Sequence, residues 1–192
     1  MTGRLKSLGL LLAAVFAMSA LAASSALAAE FHSAAAPATI SGNQSTSHVF
    51  TTSAGTFTCK VATFSGTTAS KTASSQTLTP KYESCTAFGF LNVPVVINGC
   101  GYVFQASGVT EIECPAGKAI EIAWPGCTTK IKEQKPAGSL EYTTVGTTPN
   151  RDIRVHTSLS GIAYDECGTA RTNGSYKGTT TVVGSAGEVW YA

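Results

Sequence analysis

The chain has 192 residues, of which 43% are hydrophobic and only 12% charged, with 13 Lys and Arg against 11 Asp and Glu. That near balance excludes a protein that binds nucleic acid by counterion release, which needs a strongly basic surface. Arg4 and Lys6 fall in the N-terminal leader described next, so the remainder is formally neutral and has little long-range field to gather a polyanion or an anionic membrane.

The leader reads as a secretory signal peptide: a positive start over residues 1–6, an acid-free apolar run over 7–21, and small residues from Ala22 to Ala29. Ala26-Leu27-Ala28 fits the small-x-small rule, which places the expected cut after Ala28 and divides the chain into a leader, 1–28, and a mature chain, 29–192. The mature chain is one domain by size. No cysteine lies in the cleavage region, which argues against a lipid anchor, and no second long apolar run follows, so no integral membrane segment is expected after cleavage.

Beyond the leader the composition is that of strands and turns. Thr and Ser are abundant, Val, Ile, Tyr and Phe recur in short alternating runs, and no window holds helical apolar spacing for three turns. In chain order, strands are expected over 46–52, 56–65 and 76–82. Val93, Val95 and Ile97 then alternate toward Asn98-Gly99, a strong two-residue hairpin signal, which would set Ile97 opposite Cys100 and Val95 opposite Tyr102. A second reversal at Ser107-Gly108 returns Thr110, Ile112 and Cys114. A third, at residues 115–118, returns Ile120, Ile122 and Trp124, completing a predicted four-stranded meander. Further strands are expected over 128–133, 140–144, 152–160, 162–165, 175–183 and 188–191.

All six cysteines, Cys59, Cys85, Cys100, Cys114, Cys127 and Cys167, follow the leader, and an even number in an exported chain points to disulfides. The meander places Cys100 against Cys114, closing a loop of about 15 residues worth on the order of 3 kcal/mol. Of the three pairings open to the other four, Cys59 with Cys85 and Cys127 with Cys167 is preferred because each ties neighbouring strands. No two cysteines stand two to four residues apart and the histidines are only His32, His48 and His156, so zinc-type spacing is absent and neither a metal nor a cofactor is implied. The expected fold is all-β: an antiparallel β-sandwich of about a dozen short strands, stabilised by disulfides. A sandwich is preferred to an outer-membrane barrel because residues 66–79 are too polar to face lipid.

The stretch from Ala29 to Gly66, together with YESCTAFGF, INGCGYVF, IECPAGK and NGSYKGTTTVVG, is similar to a group of short exported proteins of actinobacterial soil bacteria. The likeness lies in cysteines, turns and strand edges. It implies an exported, disulfide-bonded β protein and carries over no catalytic residue.

Three side-chain groups are candidates for chemistry or binding. On the predicted strand 152–160, Asp152, Arg154, His156 and Ser158 share a face, where His156 could act as a general base; a solvated strand face is the simpler reading. Glu111 and Glu113, with Glu121 on the expected neighbouring strand, could form the carboxylate pair of a glycoside hydrolase, unless Lys118, Lys130 and Lys132 neutralise them. Phe88, Phe90, Trp124, Trp190 and Tyr191 could supply a sugar-stacking platform, although both tryptophans also suit a sandwich core. Asn43-Gln44-Ser45 and Asn173-Gly174-Ser175 fit the N-glycosylation pattern and read as surface turns.

There is no G-x-S-x-G, H-E-x-x-H, phosphate-binding loop or Asp-rich calcium loop. The expectation is therefore a secreted or cell-surface protein that is more a binding or structural element than an enzyme. Its expected partner is a cell-wall or extracellular glycan, or a protein, and not nucleic acid. The alternative is a small secreted polysaccharide hydrolase.

Overall fold

The computed structural model describes residues 28–192, so the expected leader lies outside it apart from Ala28. Among the described residues every regular element is a strand, and no helix is long and apolar enough to cross a membrane. The strands are β1 (Phe31–Ser33), β2 (Ala38–Thr51), β3 (Thr56–Thr68), β4 (Thr72–Ala73), β5 (Ser75–Ala87), β6 (Leu91–Asn92) and β7 (Val95–Val96). The second half holds β8 (Gly101–Gln105), β9 (Val109–Glu113), β10 (Ile120–Trp124), β11 (Cys127–Ile131) and β12 (Gln134–Thr147). Last come β13 (Asn150–Glu166), β14 (Thr169–Gly184) and β15 (Val189–Tyr191).

The expected sandwich is replaced by a barrel. Antiparallel pairing runs β12-β9-β8-β5-β3-β2-β14-β13, and β13 pairs back onto β12, from Leu140 opposite Thr157 to Thr147 opposite Asn150, which closes a ring of eight strands. The reason lies in strand length and bulges. Several strands run 13 to 17 residues, and register shifts interrupt β2 between Asn43 and His48 and β13 between Ser160 and Ile162. Each bulge bends its strand and increases twist, so one long apolar face curls onto itself and removes two edges instead of needing a second sheet. Gly161, at φ +74°, divides the sequence pattern of β13, and the structure continues through this bulge as a single strand.

The predicted meander is mostly dissolved. Asn98 and Gly99 do form a tight reversal, with φ of 53° and 81° and a hydrogen bond from Cys100 N to Ile97 O, but no ladder follows it. Instead β7 pairs with β10, Val95 facing Ile122, while β8 inserts between β5 and β9. Only the hairpin β8–β9 keeps the expected register, Gly101 opposite Glu113, which brings Cys100 to Cys114. β8 gains the long strand β5 as neighbour and β9 gains β12, which buries more than a free-standing meander would.

A branch leaves the ring where β13 outruns β12: Lys130 of β11 pairs with Asp165, and β11, β10 and β7 extend the sheet. At the opposite end a small sheet of β15, β1 and β4 covers the barrel mouth. The interior holds two apolar clusters. One lies under the cap around Ile40, Phe64, Leu78, Ile153, Val182 and Val189; the other lies toward the branch around Phe50, Phe57, Ile112, Ile122, Ile131 and Ile162.

Disulfides join Cys59 to Cys85, Cys100 to Cys114 and Cys127 to Cys167, the connectivity preferred from the sequence. They point to an extracellular or otherwise oxidising environment. Cys59–Cys85 and Cys100 are buried within the barrel, whereas Cys127–Cys167 fastens the start of β11 to the β13–β14 turn, with Cys167 exposed.

Candidate functional site

The layer between the two apolar clusters is polar. His48, only 2% exposed, points inward from β2 with its Nδ1 2.5 Å from the Tyr176 hydroxyl and its Nε2 3.1 Å from Thr180 Oγ1. The Tyr82 hydroxyl lies 2.6 Å from that of Tyr176 and 3.0 Å from that of Tyr102. Burial drives the ionisation of these groups away from charge. It lowers His48 to about 4, pushes Tyr102 up to about 12, and holds Tyr82 and Tyr176 well above the ordinary phenol. At neutral pH the whole chain of groups is uncharged.

This layer is no catalytic site. The cavities touching it measure about 50 Å³ and about 30 Å³, and one water occupies about 30 Å³ of liquid, so no substrate fits beside these groups. The sequence reading missed the layer, although part of its signal is present: His48, Tyr102 and Thr180 share the inward parity of Phe50, Phe104 and Val182 two positions along.

The sequence-selected groups are scattered by the fold. Asp152, Arg154, His156 and Ser158 do share one face of β13, but it is the outer wall of the barrel; exposed His156 stands between Glu141 of β12 and Thr179 of β14. Glu111 and Glu113 share the outward face of β9, as expected, but Glu121 does not join them, because β9 lies between β8 and β12 while β10 is on the branch. Glu111 accepts a hydrogen bond of 2.6 Å from Gln105 Nε2. Glu113 pairs with Lys135 at 2.8 Å and Glu121 with Lys130 at 3.1 Å. Lys130 plays the neutralising part anticipated for it, and Lys135 takes the part expected of Lys118 or Lys132.

The aromatic residues divide between the two ends. Trp190 belongs to the cap, where the His32 ring stacks on it at 5.0 Å and the Arg151 guanidinium sits 3.9 Å from its centre. Arg151 is itself held by two hydrogen bonds to the Glu188 carboxylate, of 2.7 and 2.8 Å. Tyr191 is tied down by Tyr142, Phe31 and a hydrogen bond from its hydroxyl to Ala106 O. Neither tryptophan is fully buried as a sandwich core would require: Trp124 is half-buried at the other end, edge-on to Phe88 at 5.4 Å, with Nε1 donating to Thr129 Oγ1. The two glycosylation-type asparagines lie within strands, Asn43 in β2 and Asn173 in β14, rather than in turns.

That other end gathers the turns β2–β3, β5–β6, β10–β11 and β13–β14. Its most unusual feature is the turn Phe88-Gly89-Phe90. Phe88 is held at φ 56°, a backbone region that bulky side chains rarely occupy. A hydrogen bond from Phe88 N to Thr56 O and packing on Trp124 and Phe57 maintain it. The consequence is a Phe90 side chain lifted into solvent at 80% exposure, beside Phe88 at 37%. Strain of this kind persists where the surroundings over-determine it and is concentrated at binding and catalytic sites.

Next to this turn, on the outer face of β10 and β11, runs an open groove of about 910 Å³ whose wall includes Trp124, Glu121, Lys130, Lys132 and Asp165. Asp165 Oδ1 accepts a hydrogen bond from Gly168 N at 2.8 Å, and Lys130 lies between Glu121 and Asp165 in the ladder.

Scans of protein-family models, curated proteins and solved structures find no match to this chain. The functional reading therefore rests on the geometry above.

Proposed function

We propose that this protein is an exported, non-enzymatic binding protein that attaches to cell-wall material through the turn-bearing end of its barrel. The observation that carries this reading is Phe90, a phenyl ring 80% exposed on a turn that spends backbone strain at Phe88 to present it. Water disfavours an exposed ring of this size, and a contact that covers it recovers up to about 3 kcal/mol. The supporting turns are braced: the Cys127–Cys167 disulfide links two of them, and the Tyr164 hydroxyl accepts from Ser53 N at 2.8 Å in a third. A preorganised aromatic contact of this kind loses little freedom on binding. The candidate catalytic acids are occupied in ion pairs and hydrogen bonds, which favours binding over hydrolysis.

The test is co-sedimentation of the oxidised mature protein with purified bacterial cell walls, cellulose, chitin and starch, scoring both depletion from solution and release of soluble sugar. Depletion without release, reduced several-fold by Phe90→Ala, is the expected result. Release of sugar, no depletion by any material, or depletion unaffected by Phe90→Ala overturns the reading.

A further inference from the structure

We infer that the groove over β10 and β11 is a site for a neutral oligosaccharide; this rests on the binding reading above and names its ligand class. The groove is a wide, open depression on the sheet face, long enough to lay an extended chain across it. Strand pairing aligns Glu121, Lys130 and Asp165 in one row across it. With adjacent strands about 4.8 Å apart, the row spans about 10 Å. Carboxylates only accept hydrogen bonds and ammonium groups only donate them. An alternating row of the two matches hydroxyl groups, each of which does both.

Charge and shape exclude the other ligand classes. Lys132 joins Lys130 against Glu121 and Asp165, so the wall carries two groups of each sign and offers a polyanion no net attraction. Ala123 faces Thr128 across the ladder, and Gly117, Gly126 and Gly168 border the groove, which leaves an open floor without an apolar socket for an anchoring side chain. Peptides that bind without such a socket do so by adding a strand to a free edge. Here β10 is already paired on both sides, with β7 and β11, and β11 with β10 and β13.

Ala123 is exposed on the outer face, so Ala123→Arg fills the groove without touching the core. The experiment titrates wild type, Ala123→Arg and Lys130→Ala calorimetrically with short soluble oligomers of glucose, of N-acetylglucosamine and of a uronic acid, with thermal unfolding of each variant as a check on folding. Binding of at least one neutral oligomer, weakened about tenfold or more by both substitutions, is expected. Binding of the uronic acid oligomer alone, of no oligomer, or of a neutral one with unchanged affinity in the folded variants overturns the inference. If wall retention then still depends on Phe90, the groove assignment has failed and the binding reading stands; if retention is also absent, both have failed.

Discussion

His48 Nδ1 and the Tyr176 hydroxyl meet at 2.5 Å in the middle of the barrel, between two apolar clusters and out of reach of solvent. The pair anchors a line of hydroxyls from Thr180 to Tyr102, and burial disfavours a charge on the imidazole within it. Stability therefore depends on acid.

Burial lowers the folded-state value of His48 to about 4, against an ordinary 6.5. A proton binds the unfolded chain more readily than the folded one, so this residue's contribution is complete above pH 6.5, is lost as pH falls from 6.5 to 4, and is constant below 4. The loss amounts to about 3 kcal/mol by pH 4. Denaturant unfolding of wild type and His48→Gln at intervals between pH 7.5 and 4 measures it: the variant is less stable at neutral pH and its stability falls less steeply over that range. Parallel curves for the two proteins would refute the assignment.

Gly178 exists to make room for this ring. A Cβ at that position would stand 2.6 to 2.8 Å from three atoms of the His48 imidazole, which its hydrogen bonds and neighbours prevent from moving. Gly178→Ala is expected to destabilise by about 1–3 kcal/mol. Combining it with His48→Ala, which vacates the space, should cost less than the sum of the two changes. Full additivity in that double-mutant cycle would show that the clash is not the cause.

The cap depends on Arg151, which grips Glu188 with two nitrogens and covers Trp190. Arg151→Ala should speed amide hydrogen exchange in β1 and β15 while leaving the barrel amides near Phe57 protected. Arg151→Lys should not restore protection, because an ammonium cannot make the paired contact or lie flat on the indole. Uniform exchange across cap and barrel would argue against local loosening.

The three disulfides should not respond to reductant alike. In the chain-entropy picture each is worth about 3–4 kcal/mol, so verified reduction of all three should lower the melting temperature well below that of the oxidised protein. Exposure sets the order: Cys127–Cys167 opens first, since Cys167 is exposed while Cys59, Cys85 and Cys100 are buried. Alkylation and mass spectrometry at increasing thiol concentration report the sequence of opening. Simultaneous loss of all three would mean that reduction follows global unfolding.

The fold class was legible because alternation and turn residues are local signals. The runs around β3, β5 and β14 announce half-buried strands, and Asn98-Gly99 announces a reversal that the chain makes. The candidate site was less legible for the same reason. Phe90 stands out as an aromatic in a turn, yet nothing nearby in sequence shows that Trp124 braces the turn from 34 residues further on. Glu111 and Glu113 do share a face of β9, but Glu121 looks like their neighbour only when each strand is assumed to pair with the next, and that assumption fails once β9 lies between β8 and β12.

The sequence by itself determined that the chain is built of antiparallel strands and that its cysteines pair across neighbouring ones, because side-chain parity and cysteine placement act over a few residues or one turn. Tertiary structure alone decided that the sheet closes, with β13 meeting β12, and that His48 meets Tyr176 across 128 residues. Closure depends on the accumulated twist and bulges of long strands, a sum over the whole sheet that no single window contains.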